Sequence, residues 1–273
     1  MKKLISYSII SVTITLLFFV VGVHAWQGGQ NNYGNNMPAD PNNNNQPTEA
    51  LSAEELLVFD YILEEEKLAR DVYLALGEVW EVRIFNNIAS SEEQHINAMV
   101  GFGQRYDLDI SIIDKEPGFF KRDEFQQYYD DLVEIGMSSL TEALAAGLIV
   151  EELDINDIQE SLLEVENVEF RTVLQNLLKG SRNHLRSFYS HLKVMGGDYD
   201  PEFLSEQEFT DIVNSPMERG RVDQHGNPVS NREGESHRGN QGDKGGQGER
   251  GERGGQGERG NYGECIYDDC PLQ

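Results

Sequence analysis

Residues 52–76 read SAEELLVFDYILEEEKLARDVYLAL. Phe59, Ile62, Ala69, Tyr73 and Leu76 recur at three- and four-residue spacing, the period that places side chains on one stripe of an α-helix. Ser52 followed by Glu55 is a capping box and marks the start of that helix. Glu66 falls on the same stripe as the apolar residues. A carboxylate on a buried seam costs several kcal/mol unless something neutralises it. This one stretch therefore predicts a helix facing a core and a charge inside it.

The same period continues outward from it. Further helices are expected at about 84–106, 138–163 and 167–195, with a shorter one near 123–135. Ser90 or Ser91 offers a later start for the second. No segment alternates with period two for long enough to suggest a sheet. The first and second long helices are joined by a short link, and so are the third and fourth, which predicts two antiparallel hairpins. The join between the hairpins is long and contains Pro117-Gly118 and the short helix. The fold class expected is all-α: a four-helix bundle with one long crossover carrying a short extra helix, between disordered flanks.

Each long helix repeats the anomaly of the first. The inward stripe of the second runs Ile88, Glu92, His95, Met99, Phe102, Tyr106. That of the third runs Leu148, Glu151, Asp154 or Ile155, Ile158, Leu162. That of the fourth runs Leu174, Leu177, Ser181, His184, Phe188, His191. The stripes contain no Lys or Arg; Arg70, Arg182 and Arg186 lie beside them. A pair of metal ions would neutralise several carboxylates at once, and oxygen ligands with imidazole suit iron, with manganese as the alternative. Di-iron carboxylate bundles use one Glu from each of two helices and Glu-x-x-His from the other two. Here Glu66 and Glu151 are the single acids and Glu92-x-x-His95 is complete. Ser181-x-x-His184 has Ser where Glu is expected, and Asp154 is the replacement from the neighbouring helix. The candidate metal ligands are Glu66, Glu92, His95, Glu151, Asp154 and His184. Glu151 is preferred to Glu152 because it shares a face with Asp154. Tyr73 is read as core with a possible hydrogen bond to a ligand, and His191 as a hydrogen-bonded helix residue. Glu64, Glu65 and Glu93 are expected in solvent.

Glu66-Lys67-Leu68-Ala69-Arg70-Asp71-Val72-Tyr73 resembles the Glu-x-x-Ala-Arg-x-x-Tyr pattern of the first rubrerythrin helix, and Glu92-x-x-His95 sits where their next ligand pair would. The stretches EEEKLARDVY, SSEEQHI, VEELDI and GSRNHLRSF together resemble a ferritin-like family defined as a domain of unknown function. The resemblance covers about 51–195 and implies the ferritin-like fold and a di-iron site, with no implied substrate. Rubrerythrins often add a rubredoxin-like iron domain with two Cys-x-x-Cys motifs; this sequence has neither motif.

The flanks differ in kind. Residues 1–25 read as a signal peptide: Lys2-Lys3, an apolar run from Leu4 to Val23, then Val23-His24-Ala25 as a cleavage site, with a retained membrane anchor as the alternative. Either way the chain is expected to be exported, secreted or held at the cell surface or in the periplasm. Residues 26–50 form an Asn-rich linker, 51–200 the helical domain, and 201–273 a polar, Gly-rich tail. From Gly239 to Gly263 glycine recurs at every third residue, the collagen period, but without proline. A flexible linker and a trimerising segment both fit it. Cys265 and Cys270 suit a small disulfide loop or interchain pairing. The net charge is −26. Residues 51–216 hold 12 Lys/Arg against 35 Asp/Glu, so the acidity belongs to the helical part. Such a surface excludes nucleic acid and anionic lipid as partners, leaving the N-terminal segment as the only route to a membrane. Homo-oligomers are compatible with the pattern.

Two function classes stand. One is an exported di-iron oxidoreductase, a rubrerythrin-like peroxidase or ferroxidase, whose partner is dioxygen, peroxide or ferrous iron. The other is a non-catalytic acidic bundle for surface interaction or assembly. A ferritin-type storage cage is weaker, because long tails oppose a closed shell.

Overall fold

The computed structural model describes residues 49–229. The expected signal peptide, nearly all of the expected Asn-rich linker, the collagen-period run and both cysteines lie outside the described residues. Helix α1 spans Ala53–Trp80, α2 Arg83–Arg105, α3 Asp123–Gly136, α4 Leu140–Glu164, α5 Val168–Val194 and α6 Glu206–Asn214, with a short 3₁₀ turn at Ser111–Asp114. Among the described residues there is no strand beyond one isolated bridge, Val222 to Pro228, and no helix is long and apolar enough to cross a membrane.

The capping box at Ser52 forms as expected, with Ser52 N–H donating to Glu55 at 2.8 Å and Glu55 N–H to the Ser52 hydroxyl at 3.1 Å. Helix α2 starts at Arg83, so Ser90 and Ser91 are interior residues of the helix. The two-residue link Glu81-Val82 turns through Glu81 in the left-handed region, φ 52°.

Side-chain contacts fix the helix directions. Phe59 meets Phe102 and Glu66 meets His95, so α1 and α2 run antiparallel. Asp154 meets Ser181 and Leu162 meets Arg171, so α4 and α5 do too. Tyr73 reaches Glu151 while Tyr61 reaches Asp157, which makes α1 and α4 antiparallel. Consequently α2 and α4 point the same way, and the chain must run back along the bundle between them. The expected long crossover does this, carrying α3 against α1 and α4.

Two aromatic layers close the bundle, Phe59, Phe102 and Phe170 on one side and Tyr73, Phe85 and Phe188 on the other. Such packed rings dominate core energetics, and truncating one costs about 3–5 kcal/mol. The polar residues of the four stripes lie between the layers.

Buried charges tie the connections down. Glu64, expected in solvent, is buried: it accepts the N–H groups of Lys121 and Arg122 and pairs with the Arg122 guanidinium. Lys67, also fully buried, pairs with Asp71 at 2.5 Å and donates to the carbonyls of Glu116 and Phe119. Structure also continues past residue 200, where the polar tail was expected to begin. The Glu152 carboxylate accepts the N–H groups of Glu202, Phe203 and Leu204. Arg186 on α5 donates to the Ile212 carbonyl and to Ser215. The apolar signal of α6, chiefly Phe209 and Ile212, is one short stripe in a polar stretch, too brief to stand out by period.

Candidate metal centre

Helix α1 presents Glu66, α2 presents Glu92 and His95 one turn apart, α4 presents Glu151, and α5 presents His184; all are buried. They form two groups of three that could hold a metal ion, Glu66–Glu92–His95 and Glu92–Glu151–His184. Glu92 belongs to both. Its Oε2 lies 2.7 Å from His95 Nδ1 and its Oε1 lies 2.7 Å from His184 Nδ1. Glu66 Oε2 is 3.1 Å from His95 Nδ1, and Glu151 Oε2 is 3.5 Å from His184 Nδ1. The two imidazoles stack with centroids 5.3 Å apart. Five of the six candidate ligands are thus brought together in these groups.

The sixth, Asp154, stands beside them. Ser181 donates its hydroxyl to Asp154 Oδ2, and Asp154 Oδ1 is buried without a hydrogen bond. The charges of Glu66 and Glu151 both act on it. Glu151 and Glu152 separate as preferred: Glu151 enters the site, while Glu152 caps the chain at 202–204. His191 bonds the Ser187 carbonyl at 2.8 Å, and Glu93 is exposed and pairs with Arg70. Glu65, expected in solvent, is buried.

Three further residues shape the site, and sequence reasoning missed two of them. Tyr73 donates to Glu151 Oε1 at 2.6 Å, the role suggested for it. Ser91 meets His184 Nε2 at 2.8 Å, which leaves Nδ1 for the carboxylates. Gly180 abuts His95: a Cβ there would lie 2.3 Å from His95 Nε2. An isolated glycine in an α-helical run is a signal for such close approach; Ser91 offered none beyond its place next to Glu92.

The electrostatics are those of buried acids and imidazoles in mutual contact. Burial pushes Glu66 up to about 7 despite His95, and Glu151 up to about 7 despite His184. Burial opposes ionisation of Glu92 too, but His184 and His95 outweigh it and hold Glu92 below the usual carboxylate range. Burial disfavours charge on His184, yet Glu92 and Glu151 raise it to about 10; Glu66 and Glu92 likewise raise His95. Asp154 is raised, first by burial and then by Glu66 and Glu151. Glu66 Oε1, Glu92 Oε1, Asp154 Oδ1 and His184 Nδ1 are all buried without hydrogen bonds. Glu92 Oε1 and His184 Nδ1 stand 2.7 Å apart as a charge contact. Buried polar atoms are ordinarily satisfied, and carboxylate oxygens with imidazole nitrogens are donors that fit iron or manganese.

The profile of an uncharacterized protein domain family (DUF2202) matches residues 54–216. The uncharacterized protein MJ0754 of Methanocaldococcus jannaschii is 38% identical over 174 residues, covering 64% of this chain and 94% of that protein. The crystal structure of hypothetical protein MJ0754 from Methanococcus jannaschii DSM 2661 matches with a TM-score of 0.61 at 38% identity, over 63% of this chain and 98% of that one.

Proposed function

The chain belongs to the DUF2202 domain family, and from its buried site we propose an exported, ferritin-like carboxylate bundle that holds two iron ions, or manganese, and acts as an oxidoreductase on dioxygen, peroxide or ferrous iron. One observation carries the reading: Glu92 is shared between two His-containing groups, with each of its oxygens against a different imidazole. A single carboxylate serving two adjacent ligand sets is what a metal pair requires.

Glu66 and His95 would hold one ion, Glu151 and His184 the other, and Glu92 both, with Asp154 alongside. Iron bound there would supply one-electron redox chemistry toward dioxygen or peroxide, or would itself be the ferrous substrate. The remaining work falls to the chain. Tyr73 fixes Glu151 by its hydrogen bond to Oε1. Ser91 and Gly180 orient the imidazoles so that both present Nδ1. The aromatic layers limit water at the site, which strengthens every charge interaction inside it. Export is supported by Lys2-Lys3, the apolar run and Val23-His24-Ala25.

Metal analysis after anaerobic loading with ferrous iron tests the reading. About two ions per chain are expected, and His95→Ala or His184→Ala should remove most of one or both. A wild-type chain that binds none makes the buried set an ion-pair cluster, and the non-catalytic acidic bundle then describes the protein.

A further inference from the structure

The segment beyond residue 195 folds back on α5, and it leaves a cavity there that the proposed metal centre does not use. Helix α6 is seated by Phe209, which is 4% exposed and meets Tyr189 of α5 edge-on at 5.2 Å and Tyr199 of the connecting segment at 5.5 Å. The Tyr199 hydroxyl is buried beside Glu152 of α4, so that ring is held at its polar end. These three rings, with Asp200, Glu206 and Asn214, line a cavity of about 440 Å³. The volume falls within the range of small-molecule sites, about 300–1,000 Å³.

The charge of the cavity is one-sided. No Lys, Arg or His lines it. Asp200 and Glu206 are exposed, and among the described residues neither has a hydrogen-bond or ion-pair partner. The nearest lysine in sequence, Lys193, pairs with Asp198 at 2.7 Å. The Asn214 side-chain nitrogen donates to the Thr210 carbonyl at 2.9 Å, which leaves its oxygen as a further acceptor. Aromatic faces attract a cation through the ring quadrupole, and carboxylates form their strongest hydrogen bonds with charged N–H donors. A cavity of aromatic faces and acceptor oxygens therefore selects a ligand that is both cationic and partly apolar.

We propose that this cavity binds a small organic amine in its ammonium form. The rings of Tyr189 and Tyr199 lie against its alkylammonium part, and Asp200 and Glu206 accept from its N–H groups. The site is separate from the metal centre and does not depend on that centre holding metal.

Isothermal titration of the full chain with 1,4-diaminobutane at low ionic strength tests the proposal. Saturable binding of one amine per chain is expected. Butane-1,4-diol, of the same length and without charge, should not bind. Asp200→Asn and Glu206→Gln should each weaken binding at least fivefold. Tyr189→Leu should do the same with every carboxylate in place; circular dichroism and a melt check the fold of each variant. Asp211→Asn removes a charge from α6 outside the cavity and should change affinity less than twofold. Acetylated and amidated lysine offers the same ammonium as a protein side chain would, and the diamine should bind more tightly; equal binding overturns the assignment to a free amine. Absence of saturable binding overturns the site. So does an equal loss in Asp211→Asn and Asp200→Asn, because the amine then follows only the overall negative charge.

Discussion

Gly180→Ala adds one methyl group where α5 meets His95. The new Cβ would lie 2.3 Å from His95 Nε2 and 2.6 Å from Cε1, while ordinary contact begins at 3.4 Å, so the ring must retreat by about 1.1 Å. His95 Nδ1 now stands 2.7 Å from Glu92 and 3.1 Å from Glu66, and a shift of that size disturbs both contacts. Disturbing the support of a metal ligand lowers affinity about 10- to 100-fold, and that loss is expected here. The backbone effect runs the other way, because Ala is favoured over Gly in a helix interior by about 1 kcal/mol. A double-mutant cycle separates the two. With His95→Ala already present the clash is gone, so Gly180→Ala should be neutral or stabilising by about 1 kcal/mol. Competition titration against a chromophoric chelator, with melts of all four proteins, measures both. Wild-type metal affinity in the Gly180→Ala chain, or an equal loss of stability in the His95→Ala background, refutes the reasoning.

In the metal-free protein, Glu66 and Glu151 are raised from 4.5 to about 7 and His184 from 6.5 to about 10. The folded chain therefore binds more protons than the unfolded one between about pH 4.5 and 10. Both the raised acids and the raised imidazole give stability that is present at low pH and lost as pH rises. Glu92, held below its usual range, acts only below about pH 4.5, in the opposite sense. Melting temperature without metal should fall from pH 5.5 to pH 9, and metal, which binds by displacing protons, should flatten or reverse that slope. Tyr73→Phe strands Glu151 Oε1, which now accepts at 2.6 Å; denaturant titration should show a loss of about 1–3 kcal/mol. A fragment of residues 47–229 should melt as the full chain does. One ending at 200 should melt lower, since Glu152 loses three N–H donors and Arg186 loses its partners on the following segment. Ser181→Glu should lower the melting temperature of the metal-free protein, because a further acid enters a fully buried position beside Asp154.

The four long helices were legible because each carries an apolar stripe of helical period with clear ends, and the polar interruptions fell at matching depths. The crossover followed from loop lengths alone. What period could not show was how many neighbours each helix has. Helix α1 packs against α2, α3 and α4, so burial spreads around it, and every residue from Ile62 to Ala69 is buried. A run of Glu64, Glu65, Glu66 and Lys67 reads as a solvated face when one stripe is assumed inward. In the fold, the crossover covers that face and supplies the partners: Arg122 and two N–H groups for Glu64, and two carbonyls for Lys67. Those partners lie some fifty residues away in sequence and leave no local trace. Segment 201–229 is hard to read from sequence for a related reason, since its anchors, Glu152, Asn176 and Arg186, sit on α4 and α5.

The departure at Ser181 bears on the charge of the site. A template with Glu at that position would place its carboxylate on α5; here Ser181 donates to Asp154, so the acid comes from α4 and the hydroxyl holds it in place. Glu66, Glu92, Glu151 and Asp154 together carry four negative charges when ionised. Two divalent ions, as proposed, would balance them with both imidazoles neutral. Without metal, the raised pKa values of Glu66, Glu151 and Asp154 and the protonated imidazoles reach a similar balance by keeping protons. Glu92 is the exception in both states: its two oxygens face the two imidazoles, so it stays ionised whether the positive charge beside it is a proton or a metal. The residue that binds the two halves of the site together is the one whose charge does not change.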